Sequence, residues 1–217
     1  MNLWIELLLV SLALTNLALT SLCRLETCIR VAAAQGILLG LVTVALHSPA
    51  ISLHMLVLVL GIIVLKGLVF PWLLFRAMRQ ARVRREVEPF VSFTWSLLIG
   101  TLALPTAMWL SSRLPAAHPS HTPLLIPVAL HAILAGLLLI VSRRKAITQV
   151  LGYLVMENGI YLFGIALVGE ESVLVDLATL LDVFVGVFVM GIAIFHINRT
   201  FDHIDTDRLS ALKDWPS

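Results

Sequence analysis

The chain has 217 residues, of which 59% are hydrophobic and only 13% charged, with a formal net charge of +2. Its mean hydropathy is +1.00. A soluble domain averages about 45–50% apolar and about 25% charged residues, so the composition excludes one and makes the bilayer the solvent for most of the chain.

Seven apolar stretches are long enough to span, at 3–22, 31–47, 51–75, 89–112, 123–141, 147–168 and 173–196. A spanning helix needs about 17–25 residues. The stretches are continuous and lack period-two alternation, so they predict helices rather than barrel strands. The expected fold is an all-α integral membrane protein with seven transmembrane helices.

In chain order, "MNLWIELLL" has no basic n-region and carries Glu6, so the first stretch reads as a retained span rather than a cleaved signal. Arg24 and Arg30 follow it, with Cys23 and Cys28 on the same side. Two thiols with no other ligand nearby make a poor metal site and read as structural. The second stretch is the shortest and carries Gly36 and Gly40, a small-xxx-small packing face. The turn "HSPA" leads into the third, which holds His54 near its outer end and Lys66 near its middle. Arg76, Arg79, Arg82, Arg84 and Arg85 come next, then the fourth stretch, which has no central charge. A loop with Arg113 leads to the fifth stretch, where His131 is central, and Arg143, Arg144 and Lys145 follow it. The sixth holds Glu157 at its middle, in "GYLVMENGIYLFG". After "GEES", the seventh carries Asp176 one turn in and Asp182 near its middle, and the tail adds Arg199, Arg208 and Lys213.

Positive charge therefore falls on alternate loops. The positive-inside rule then places the N-terminus outside and the C-terminus in the cytoplasm. The basic loops account for the pI near 8.8 and imply membrane lipid headgroups rather than nucleic acid. A docking surface for a soluble partner is the alternative use of Arg76 to Arg85. No phosphate loop, dinucleotide fingerprint or cysteine cluster is present in the sequence, so no redox cofactor is expected in this chain.

Lys66, His131, Glu157 and Asp182 fall at similar depth on four predicted helices. One charge at the bilayer centre costs at least about 2.5–3.5 kcal/mol, so such residues face a bundle interior, pair, or line a hydrated cavity. Carboxylate, ammonium and imidazole groups at one level suit a proton relay, because low dielectric favours their neutral forms and an opposite charge reverses that preference. The bland alternative is a set of fixed ion pairs that lock helices together, and for His131 a hydrogen bond to a neighbouring helix. Tyr153, Glu157 and Tyr161 step by four and share one helix face. The tyrosines would then either reach the carboxylate or simply pack. Asp176 is an accessory candidate near the outer face, where water reaches it.

"GYLVMENG", the aspartate of "LLDVF", the lysine of "VLKGLVFPWL" and the closing "LSALKD" resemble the hydrogenase-4 component E family. The resemblance spans the chain and is weaker over residues 1–50. It implies a membrane subunit of a formate-hydrogenlyase-type, complex I-related assembly in a bacterial or archaeal cytoplasmic membrane. The implied partners are antiporter-like membrane subunits and a hydrophilic redox arm that carries the nickel–iron and iron–sulfur centres. The last three stretches also resemble the K subunit of respiratory complex I. Asp182 matches the position of its second membrane glutamate, as Asp for Glu. The first glutamate's position falls on Leu154, and Glu157 lies one turn on, about 60° around the same face. The expected organisation is an N-terminal four-helix region (1–122), a K-subunit-like three-helix region (123–196) and a cytoplasmic tail (197–217). The resemblance implies proton translocation or coupling through Glu157, Asp182, Lys66 and His131. The alternative is a purely structural subunit. A stand-alone transporter is disfavoured by the absence of an inverted repeat or an interrupted helix in the sequence.

Overall fold

The computed structural model describes residues 3–22, 24–47, 53–80, 90–114 and 122–168. All regular elements among them are helical: α1 (Leu3–Ser21), α2 (Leu25–His47), α3 (Leu53–Val64), a π-helical turn (Leu65–Val69), α4 (Phe70–Gln80), α5 (Phe93–Ser111), α6 (Leu125–Ser142) and α7 (Ala146–Val168). The α3–π–α4 segments run on without a break. Together the helices supply six spans long and apolar enough to cross a membrane. The seventh predicted span, 173–196, lies outside the described residues.

Three boundaries differ from the sequence expectation by four residues or more, one of them the start of α5 at Phe93 rather than at 89. α2 begins at Leu25 rather than at 31, so Arg30 belongs to the helix and not to a loop. Hydropathy alone is blind here, because Glu26 and Arg30 dilute a stretch that remains helical. The third span continues to Gln80, so Arg76 and Arg79 are helical as well. Arg76 folds back over Trp72, 5.4 Å from the ring centroid. That arrangement covers the long cation at an interfacial aromatic.

α2 is the central strut, touching α1, α3, the π turn, α4 and α7, while α5 packs on α1 and α6 at the periphery. Where backbones approach most closely, glycine is required. A Cβ on Gly152 of α7 would lie 2.9 Å from both the Gly136 oxygen and the Ile140 nitrogen of α6. A Cβ on Gly159 would lie 2.7 Å from the Ala129 oxygen. Small residues permit this approach in a setting where lipid is as apolar as leucine and packing must hold helices together.

The buried apolar residues form two clusters. One gathers Leu19, Leu25, Ile29, Phe70, Leu74, Leu151 and Val155. The other gathers Ile5, Leu9, Leu12, Leu39, Val42, Val128, Leu162 and Ile165. On α1, α2, α6 and α7 the first cluster occupies one end and the second the opposite end. The gap between them is where the polar residues lie.

Outward faces are apolar. Trp4 at the start of α1 and Trp109 at the end of α5 mark one rim, and Trp72 and Trp95 mark the other, all exposed. Indole rings at both rims are the aromatic belts of a bilayer-spanning protein. Lipid-side hydroxyls bond their own helix, as Thr101 Oγ1 donates to Leu97 O at 2.8 Å and Thr106 Oγ1 to Leu102 O at 2.8 Å. Neither of these hydroxyl donors is thereby left to the hydrocarbon. The molecule is a multi-pass membrane protein.

The glycine contacts yield a direct test. Gly152→Val forces methyl groups into the α6 backbone and should destabilise the fold by about 1–3 kcal/mol. Gly61→Ala meets nothing within 4 Å and should be neutral or slightly stabilising. Thermal unfolding of both variants in detergent checks the contrast.

Candidate functional site

Pro71 explains where the site begins. A proline has no N–H and its ring clashes with the carbonyl one turn back, which in an α-helix would be that of Gly67. The chain relieves the conflict by widening. Leu65–Val69 is a π turn, closed by the Phe70 N–H donating to the Leu65 carbonyl. Lys66 sits in this turn and is 6% exposed. Gly36 of α2 lets the turn press in, since a Cβ there would lie 2.5 Å from the Lys66 Cβ and 2.7 Å from its carbonyl carbon. Gly40 faces Ile63 in the same way. The Gly36/Gly40 face is therefore the α2 surface that receives the third span.

Lys66 Nζ donates to Glu157 Oε1 at 3.0 Å and to Asn158 Oδ1 at 2.9 Å. Glu157 is wholly buried and Asn158 is buried. Gly159 pins this part of α7 against α6, fixing the carboxylate opposite the π turn. Two ions out of water carry a desolvation cost of several kcal/mol each, offset only by close pairing and added hydrogen bonds. Asn158 supplies one of those bonds.

The other candidates fall as follows. His131 is fully buried on α6, and its Nε2 lies 3.2 Å from the Gly100 carbonyl oxygen of α5. It thus ties α6 to α5 and makes no hydrogen bond to the Lys66–Glu157 pair. Tyr161 is buried with its hydroxyl 3.3 Å from Thr43 Oγ1 of α2. Tyr153 is partly buried against the first apolar cluster. Asp176 and Asp182 lie outside the described residues.

Sequence reasoning missed three buried polar residues. Asn16 and Gln35 are 2% and 1% exposed, and Gln35 Nε2 donates to Asn16 Oδ1 at 2.7 Å and to Thr15 Oγ1 at 3.1 Å. Their signal, an amide inside "LTNLALT" and another inside "AAQGILL", is weaker than a charge but of the same kind. The third is Arg143, expected as a cation of a basic loop. It is 1% exposed, donates from Nη2 to the Thr20 carbonyl at 2.6 Å, and lies 4.8 Å from the Phe93 ring centroid. The helix ends converge there, so a side chain placed between two spans in sequence is enclosed by a third and a fourth.

A protein of Mycobacterium tuberculosis named only as "Uncharacterized protein Rv0085" is 32% identical over 156 residues, covering 71% of each chain. The chain belongs to the family of that protein. Hydrogenase-4 component E of Escherichia coli (strain K12) and of Shigella flexneri are each 39% identical over 88 residues. That match spans 41% of this chain and 41% of theirs. No family profile and no solved structure matches the chain.

The buried pair predicts non-additive energetics. Lys66→Met and Glu157→Gln should each cost about 3–5 kcal/mol by leaving a partner buried alone. The double variant should lose less than the sum, with a coupling of about 0.5–3 kcal/mol. A double-mutant cycle of unfolding in detergent measures it.

Proposed function

We propose that the chain is a membrane-arm subunit of a hydrogenase-4-like, complex I-related redox complex. In this reading it takes part in proton or ion translocation, or in its coupling to redox chemistry. The observation that carries the reading is the Lys66–Glu157 pair, fully enclosed at 3.0 Å in a polar layer between two apolar clusters. Intramembrane charges are costly enough that function is their default explanation. A π turn is also a frequent mark of functional segments. The similarity to hydrogenase-4 component E supports the setting.

Glu157 and Asp182 serve as relay carboxylates, Lys66 as the cationic tuner or a further relay site, and His131 as an intermediate. Tyr153, Tyr161 and Asp176 are accessory groups. Partner subunits are antiporter-like membrane chains and a hydrophilic arm that holds the nickel–iron and iron–sulfur centres. The complex sits in a bacterial or archaeal cytoplasmic membrane, with the basic rim of this chain on the cytoplasmic side.

A structural role is the second reading, and a specific observation favours it. His131 and Arg143 both bond backbone carbonyls of neighbouring helices, which is what static braces do.

Two measurements test the proposal. A C-terminally tagged full chain, purified in mild detergent, should bring antiporter-like and hydrogenase-like subunits in fixed ratio. Recovery of the chain alone contradicts the setting. In that assembled complex, Glu157→Gln should abolish ion movement coupled to redox turnover. Unchanged turnover and ion movement would overturn the relay.

A further inference from the structure

The Lys66–Glu157 pair is enclosed, so a proton that uses it needs a way in. Among the described residues, the amides of Asn16 and Gln35 have buried atoms that lack a partner. Asn16 and Gln35 are joined by a single amide-to-amide hydrogen bond between α1 and α2. Asn16 Nδ2 and Gln35 Oε1 have no hydrogen-bond partner, although their residues are only 2% and 1% exposed. Turning both amides over does not cure this. Each amide brings a carbonyl oxygen and an NH2 group, and one shared bond always leaves one of each behind.

A buried polar group without a partner is costly, and native structures place a partner there. The partner must accept a hydrogen bond from Asn16 Nδ2 and donate one to Gln35 Oε1. A cation cannot accept, and an anion cannot donate. Water does both, and it needs two to four polar partners to be held. The remaining lone pair of Thr15 Oγ1, which receives Gln35 Nε2 at 3.1 Å and donates to Leu12 O at 2.8 Å, offers a third.

The position of the amide pair is as informative as its chemistry. On α1, Asn16 and Thr20 are four residues apart and share a face. Thr20 is fully buried, and its carbonyl receives Arg143 at the basic rim. On α2, Gln35 directly precedes Gly36, the residue that sits against Lys66. Arg143, Thr20, Asn16 and Gln35 therefore succeed one another from the basic rim to the level of the π turn.

We propose that Asn16 and Gln35 hold a bound water, and that this water is the hydrated step between the basic rim and the Lys66–Glu157 pair. The second half of the statement rests on the relay reading of that pair. The first half does not.

Radiolytic hydroxyl footprinting of the full chain in its complex separates the two. Radicals form from bound water in place, so Leu12 and Leu39, one turn from Asn16 and Gln35, should be oxidised despite burial. Leu9 and Leu125, both 0% exposed, set the background. Gln35→Met and, independently, Asn16→Leu should abolish the labelling of Leu12 and Leu39 in complexes that still assemble. Labelling no greater than that of Leu9 in the unaltered protein overturns the water site. Gln35→Met should also suppress ion movement while leaving assembly intact. If labelling is present and Glu157→Gln stops ion movement but Gln35→Met does not, the connecting role is overturned. If Glu157→Gln itself has no effect, the relay reading has failed, and footprinting alone still decides the water site.

Discussion

An ammonium and a carboxylate enclosed at mid-depth constrain everything around them. Neither ion is tolerated alone in a low-dielectric interior, so the helices that carry them must meet at hydrogen-bonding distance. The third span meets this demand by widening into a π turn ahead of Pro71 and by pressing on Gly36 of α2. α7 meets it by seating Gly152 and Gly159 on the α6 backbone, which fixes the height of Glu157, and by offering Asn158 as a second acceptor for Lys66. The apolar clusters above and below complete the enclosure. Remove one close approach and the pair is either stretched or wetted.

The same geometry distinguishes two sorts of buried polar residue. Arg143 bonds a main-chain carbonyl of another helix, a partner that cannot exchange protons. Lys66 and Glu157 bond each other, and both can. Asn16 and Gln35 stand between these sorts. They hold α1 to α2 by one bond while leaving a donor and an acceptor open to water. The buried polar residues thus divide by the partner each side chain has, a main-chain carbonyl for some and another ionisable side chain for others.

Much of this was legible in the sequence and some was not, for physical reasons. Hydropathy located the spans because the bilayer imposes length and composition on each one separately. Lys66, His131 and Glu157 announced themselves because a charge or imidazole in hydrocarbon is costly. Which of them would meet was not legible, since that depends on which helices are neighbours. The π turn had a signal, Pro71 preceded by Gly67, but a hydropathy average runs straight across it. Asn16 and Gln35 escaped notice because neutral amides disturb an apolar stretch less than a charge does. The burial of Arg143 was not legible because a count of loop cations says nothing of what encloses each one, and here converging helix ends do.

The central claim is that the Lys66–Glu157 pair exchanges its proton rather than merely joining two helices. Reversing the pair, with Lys66→Glu and Glu157→Lys in one chain, tests it most directly, because the reversal keeps the attraction and moves each group to the other helix. The account predicts that the reversed pair restores assembly of the complex while ion movement stays lost, since each proton-carrying group now faces the wrong neighbours. Recovery of both assembly and ion movement would contradict it, and would leave the pair as a structural bond.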